Sequence, residues 1–153
     1  MKILIILLIL ITPLLVSFLK PNPYQSYCDK WALTAQMYQV THGVPASIQL
    51  AQAIVESGGG RSSIGRNANN HFGIRCGDNW EGERHYTKSG CWRCYDSVNA
   101  SYLDHVNFLA KYYSSGCGKS YKYWRGFEGY GGAGYWKHIY NTIEKYKLYE
   151  YDN

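Results

Sequence analysis

Apolar and polar residues are arranged along this chain in three different rhythms, and each predicts a different kind of element. The first is an unbroken run, Ile3 to Leu19, without a charge, set between Met1-Lys2 and Lys20-Pro21-Asn22-Pro23. Its length falls between the core of a signal peptide and a full transmembrane helix, and Val16-Ser17-Phe18-Leu19-Lys20 offers no small-x-small cleavage site. An uncleaved signal anchor is favoured over a removed signal peptide. Residues 1–20 are thus expected to take the domain to a membrane, with 21–28 as a tether and 29–153 as the domain.

The second rhythm is helical. In Pro45–Ser57, Ile48, Leu50, Ala51, Ala53, Ile54 and Val55 spread around most of the circumference, while Gln49, Gln52 and Glu56 share one narrow stripe. Such a helix is central to a core and turns one stripe to a cleft. Pro45 suits a first helical position and the glycines after Ser57 supply the stop. Ahead of it, Asp29 can cap a helix from Lys30 to about His42, ended by Gly43, and Ser62 or Ser63 caps a short turn behind it. Asp96 or Ser97 caps a further helix to about Tyr112, with Val98, Tyr102, His105 or Val106, and Leu109 on one face. A loop of Gly116, Cys117 and Gly118, a short helix near Tyr121 to Phe127 and a flexible link Gly129–Gly134 lead to a last helix, Tyr135–Tyr146. The third rhythm is irregular. From Phe72 to Tyr95 the helical period vanishes, and Gly73, Gly77, Gly82 and Gly90 with Trp80, Tyr86 and Trp92 between them predict a β-hairpin lobe. The sum is a mainly helical α+β domain with a small β-lobe and no internal repeats.

Length changes this picture little, since 153 residues hold one domain able to bury its own core. Charge narrows the partners. The formal net charge of +5 suits an anionic polymer but comes with no basic run, which argues against nucleic acid. Sixteen Tyr and five Trp exceed ordinary usage, and their main employment should be the core and its rim, leaving a few to line a groove. Five cysteines in an exported domain imply disulfides and one thiol left over. Cys91-Trp92-Arg93-Cys94 has redox spacing without the surrounding βαβ pattern, and Cys76, Cys91, Cys94 and His85 have the ligand types for zinc in poorly paired spacing.

Candidate chemistry centres on Glu56. In the last turn of an apolar helix its carboxylate meets the negative end of the helix dipole, which favours the protonated acid. A protonated carboxyl is what a general acid needs, and glycoside hydrolysis is the commonest chemistry built on one. A solvated last-turn glutamate is the plain alternative.

Ala51-Gln52-Ala53-Ile54-Val55-Glu56-Ser57-Gly58, followed by Arg61-Ser62-Ser63 and Ala68-Asn69-Asn70-His71-Phe72-Gly73-Ile74-Arg75-Cys76, resembles glycoside hydrolase family 73. That family holds lysozyme-like endo-β-N-acetylglucosaminidases of bacterial cell walls, of flagellar and autolysin types, with an AQAxxESGxG helix end and a following NNxFGIK. The likeness continues through Trp80-Glu81-Gly82, Cys91-Trp92-Arg93, Tyr95-Asp96-Ser97, Tyr102-Leu103-Asp104-His105 and Tyr146 to Asp152, covering Trp31 to Asp152.

The resemblance implies a lysozyme-like fold and cleavage of peptidoglycan at the β-1,4 bond after N-acetylglucosamine, with Glu56 as the acid. A second carboxylate is implied in the β-lobe, yet Tyr86-Thr87-Lys88-Ser89-Gly90 stands where relatives often show an acidic cluster. Glu83, ahead of Glu81 and Asp78, is the best placed substitute, and the acetamido group of the substrate is the other possibility. A functional tyrosine is implied late in the domain, at Tyr130 or Tyr135, the missing proline of the family element leaving the choice open. Asn69, Asn70 and His71 either contact an N-acetyl group or build a turn, and Phe72 and Trp80 are expected beside them at the substrate. Gly59 occupies a position where relatives commonly carry Trp, which implies a lost aromatic wall next to Glu56. Related sequences carry Cys at both Cys76 and Cys91, which implies a disulfide there. No cofactor or metal is implied. The partners are glycan strands, with the membrane reached only through the N-terminal segment and the chain a monomer. A lytic transglycosylase and a catalytically degenerate wall-binding domain stay as alternatives.

Overall fold

The structure is a computed structural model that describes residues 22–113, 121 and 130–152. Its elements are α1 (Gln25–His42), α2 (Ala46–Ser57), α3 (Ser63–Ala68), β1 (Arg84–Thr87), β2 (Gly90–Arg93), α4 (Val98–Tyr113), α5 (Tyr135–Tyr146) and a closing 3₁₀ turn, Leu148–Tyr151. The predicted membrane segment and most of the predicted helix near Tyr121 to Phe127 lie outside the described residues. Among those that are described, no helix is long and apolar enough to cross a membrane.

Helix α2 is the axis of the molecule. Every residue from Ala46 to Ile54 is buried, and α1, α5 and the 3₁₀ turn pack around it. Pro45 stands just outside as the N-cap and offers no side-chain oxygen, so the first free N–H groups of α2 need acceptors from elsewhere. They come from distant residues: Gln39 Oε1 accepts from Ala46 N at 2.9 Å, and Asp152 accepts from Ser47 N at 2.8 Å and Ser47 Oγ at 2.7 Å. The chain's last turn therefore caps its central helix. Gly58, with φ +62°, closes the other end in the left-handed conformation.

Helix α1 begins five residues before the predicted Lys30. Asp29 is no cap but sits inside the helix, where its Oδ1 accepts from Gln25 Nε2 and Tyr151 Oη. Residues 25–28, expected as tether, thus belong to the fold, and Cys28 is fully buried. At α3, Ser62 Oγ accepts from Gly65 N, and before α4, Ser97 Oγ accepts from Ala100 N. On α4 the predicted apolar face holds, with Tyr102, His105, Val106 and Leu109 all buried.

The β-lobe is a two-stranded antiparallel hairpin in the register Arg84–Arg93, His85–Trp92, Tyr86–Cys91 and Thr87–Gly90. The Ile74–Cys76 segment runs along its open side, with Arg93 N donating to Ile74 O and Cys76 N to Cys91 O. The Cys76–Cys91 disulfide locks this third segment to β2. Cys28 and Cys94 keep free thiols.

Candidate active site

Glu56 ends the stripe that the sequence pointed toward a cleft, but the stripe is not polar surface throughout. Gln49 is fully buried, and its Nε2 donates to Ala35 O at 2.9 Å and Val44 O at 2.8 Å, tying α1 to the start of α2. Gln52, also buried, donates from Nε2 to Tyr135 Oη at 3.3 Å, and Tyr135 Oη in turn donates to Glu56 Oε1 at 2.6 Å. Gln52 and Glu56, four apart on α2, are thereby bridged by one hydroxyl from the start of α5. Burial first, then the nearby Glu56 charge, hold the Tyr135 phenol protonated far above its ordinary range, so it stays a donor. Tyr130 lies against Tyr135 with ring centroids 5.1 Å apart, and the same two causes raise its own pKa.

The other carboxylate oxygen lies against Gly73: a Cβ built there would stand 3.4 Å from Glu56 Oε2, and Gly73 lines a groove of about 330 Å³. Phe72 and Ile74 continue its floor, Asp104, His105 and Phe108 of α4 form one wall, and Arg75, Arg93 and Tyr130 complete the rim. Asp104 is held by Arg93 at 2.8 Å and by the Tyr95 hydroxyl at 2.6 Å. A carboxyl with one oxygen fixed and the other against a glycine that lines an aromatic-walled groove is an arrangement that can deliver a proton to a bound sugar.

Residues 32–148 match the sequence profile of the glucosaminidase family, described as mannosyl-glycoprotein endo-β-N-acetylglucosaminidase. The chain belongs to this family. No match was found among curated proteins. Solved structures are similar over most of the fold. The catalytic domain of the autolysin Auto from Listeria monocytogenes is 24% identical with a TM-score of 0.67, covering 90% of this chain and 93% of that one. A peptidoglycan hydrolase from Sphingomonas sp. A1 is 25% identical with a TM-score of 0.68, covering 83% and 92%. The glycoside hydrolase domain of FlgJ from Salmonella typhimurium is 22% identical with a TM-score of 0.63, covering 82% and 89%. The protein is a glycoside hydrolase with the lysozyme-like fold of these domains.

Within this glucosaminidase the remaining sequence-predicted residues fall in several places. Glu83 is exposed at the entry to β1. Its backbone carbonyl accepts from Trp80 Nε1 and Cys94 N, and its carboxylate lies beside the Cys94 thiol. Burial, then that Glu83 charge, push the thiol up. Glu83 is not among the residues that line the groove with Gly73. Glu81 and Asp78 are likewise exposed on the lobe. Trp80 is half-buried, edge-on to Tyr95 with the Arg93 guanidinium 4.6 Å above its ring, so it braces the lobe.

The asparagine loop builds structure. Asn69 caps α3 in the left-handed region at φ 50° and donates to Tyr95 O. Asn70, fully buried, donates to Ile74 O and Arg93 O and accepts from Ile74 N, which uses both its amide hydrogens on backbone. Of the two roles left open for it, these contacts are those of turn-building, and they join the loop to the lobe. His71 is buried as well and shares a 2.9 Å hydrogen bond with Tyr27 Oη; burial and the Lys30 charge lower its pKa to about 4. Of the expected set, Phe72 reaches the groove, stacked on His105 with centroids 3.9 Å apart.

Two features were not predicted. Tyr24 and Tyr27, assigned to the tether, pack on Gly59, where an added Cβ would meet them at 3.1 and 3.2 Å. Aromatic surface next to the Gly58–Gly60 turn is thus supplied from α1. Asp104, Arg93 and Arg75 form the charged part of the groove, and the only signal for Asp104 was a carboxylate one position off the apolar face of α4.

Proposed function

We propose that this glucosaminidase hydrolyses the glycan strands of peptidoglycan at the β-1,4 bond after N-acetylglucosamine, outside the cytoplasm, as a single chain tethered by residues 1–20. The observation that carries the reading is the Tyr135–Glu56 pair at the edge of the groove. Because Oε1 accepts from Tyr135, Oε2 is the oxygen left to hold the proton and present it to the glycosidic oxygen. The bond breaks with its electron pair going to the leaving oxygen, which takes that proton.

The electron demand at the anomeric carbon has to be met from the opposite face of the sugar. With Glu83 turned to Cys94, the acetamido oxygen of the −1 N-acetylglucosamine is the better supported nucleophile. It attacks the anomeric carbon to give an oxazolinium ring, and water, deprotonated by the now ionised Glu56, reopens it. Peptidoglycan as substrate is supported by the glucosaminidase family match and by the likeness to a peptidoglycan hydrolase from Sphingomonas.

Glu56→Gln keeps the shape and removes the proton, so turnover of purified peptidoglycan should fall ~10²–10⁴-fold while binding persists. The intact protein should release fragments ending in reducing N-acetylglucosamine. Anhydro-muramic ends would make it a transglycosylase, and binding without fragments would make it a wall-binding domain. Glu83→Gln should leave turnover near that of the unaltered protein; a loss as large as that of Glu56→Gln would return the second role to Glu83.

A further inference from the structure

Arg75 lies on the rim of the groove that Gly73 also lines and is held from two sides. Its guanidinium lies over the Trp92 ring at 3.9 Å and Nη1 donates to Ser89 O at 2.5 Å, in the room that Gly90 leaves open. Trp92 is itself held, its Nε1 donating to Thr87 Oγ1 at 2.9 Å. An exposed arginine ordinarily loses side-chain entropy when it grips an anion; here most of that ordering is already done. No carboxylate answers it: Arg93–Asp104 is the one ion pair among the described residues, so the Arg75 guanidinium keeps its charge uncompensated at the rim. A planar cation with donors to spare, held still and without a counter-charge at the mouth of a groove, is built for a planar anion, which it can meet with two parallel hydrogen bonds.

We propose that Arg75 binds a carboxylate of the peptide stem carried by the muramic acid residues, so that the groove selects stem-bearing strands over bare ones. The sugars themselves are uncharged once the lactyl group is amidated by the peptide, so the stem is where the substrate carries its carboxylates. This rests on the peptidoglycan reading above and adds to it a preference among peptidoglycan strands. Arg75 touches the substrate away from the bond being cut, and its contribution is therefore to binding. It should appear in affinity and KM, with little change in kcat.

The test separates binding from cleavage. The full chain carrying Glu56→Gln is titrated by calorimetry with soluble glycan strands whose stem carboxylates are free, and with the same strands after those carboxylates have been converted to methylamides, which removes the charge and leaves the sugars and the lactyl amide intact. Strands with free stem carboxylates should bind about tenfold more tightly, the scale of one charge-assisted bidentate contact, and the difference should shrink as salt is raised. Adding Arg75→Ala, or Arg75→Gln if the alanine variant melts early, should abolish that difference. Equal affinity for the two strands, or an equal loss on both when Arg75 is replaced, overturns the proposal. Cleavage is read separately with Glu56 restored: a preference for stems without cleavage would sink the hydrolase reading and leave the Arg75 site standing.

Discussion

Acid should destabilise this domain well before its carboxylates are neutralised, because two histidines are buried in the neutral form. His105 is fully buried on α4, stacked on Phe72, with neither ring nitrogen hydrogen-bonded, and burial lowers its pKa to about 3. His71 is lowered to about 4 by burial and, second, by Lys30. In the unfolded chain both return to about 6.5. A histidine whose folded pKa is depressed stabilises the fold fully above its unfolded value, and that stability is lost as pH falls toward the folded one. Between about pH 6.5 and 4 the unfolded chain binds two protons that the folded chain refuses. At pH 5 each site then costs about 1.5 pH units of proton binding, or ~2 kcal/mol, and the pair ~4 kcal/mol. Against a typical domain stability of about 5–15 kcal/mol this is a large share.

The measurement is urea unfolding followed by tryptophan fluorescence at half-unit steps from pH 7.5 to 4.5, with the disulfide oxidised throughout. The slope should approach ~2.7 kcal/mol per pH unit in the middle of that window, two protons' worth. His105→Leu, close in volume and without ring nitrogens to leave unpaired, should halve the slope and cost little at pH 7.5. A stability that stays flat from pH 6.5 to 5, or a His105→Leu slope equal to that of the unaltered protein, would refute the reasoning.

Other expectations follow from single contacts. Tyr135→Phe removes the 2.6 Å donor on Glu56 and the acceptor of Gln52, so kcat on peptidoglycan should fall ~10–100-fold, and the buried Gln52 amide left without that partner should cost ~1–3 kcal/mol of stability; a kcat within twofold would leave that hydroxyl no part in turnover. Gly131→Ala should reproduce that loss and also destabilise by ~1–3 kcal/mol, because Gly131 sits at φ +69° and a Cβ would press into the Tyr135 ring at 2.4 Å. Removing the Cys76–Cys91 bridge as a paired serine variant should cost ~3 kcal/mol in urea unfolding, the chain-entropy value for a loop of this length. Peptide mapping that pairs Cys91 with Cys94 instead would contradict the bridge itself.

What could be read from the sequence was what local periodicity encodes. The helix to Ser57 and the last helix, Tyr135–Tyr146, stand at nearly the predicted bounds, because each has an apolar stripe of helical period and a glycine or a left-handed residue at its end. The start of α1 was not legible. Its first turn carries Tyr24, Tyr27 and Cys28, which look like linker until Gly59, Tyr102 and His71 are brought against them by the fold. The same limit applies at the site. Glu56 announces itself by its place in an apolar helix, whereas for Asn70 the sequence left ligand contact and turn-building both open, since what its amide meets is set by Arg93, twenty-three residues away.

The glycine-rich stretch before α5 shows why composition alone misled. Gly129–Gly134 suggested a flexible link, and flexibility would be a poor way to hold a tyrosine on a catalytic acid. Its described part does the opposite. Gly131 lets the Tyr135 ring lie directly on the backbone, and Gly134, at φ 84°, takes the left-handed conformation from which α5 starts. These requirements fix where Tyr135 begins and where its hydroxyl ends, on an oxygen of a residue seventy-nine positions earlier. Glycine here serves close approach, and the same use recurs at Gly90, which admits the Arg75 guanidinium to the rim of the groove. On either side of Glu56 a functional side chain is aimed by a neighbouring residue that has no side chain of its own, so a scan of these glycines should disturb the site as surely as a scan of the groups that touch the substrate.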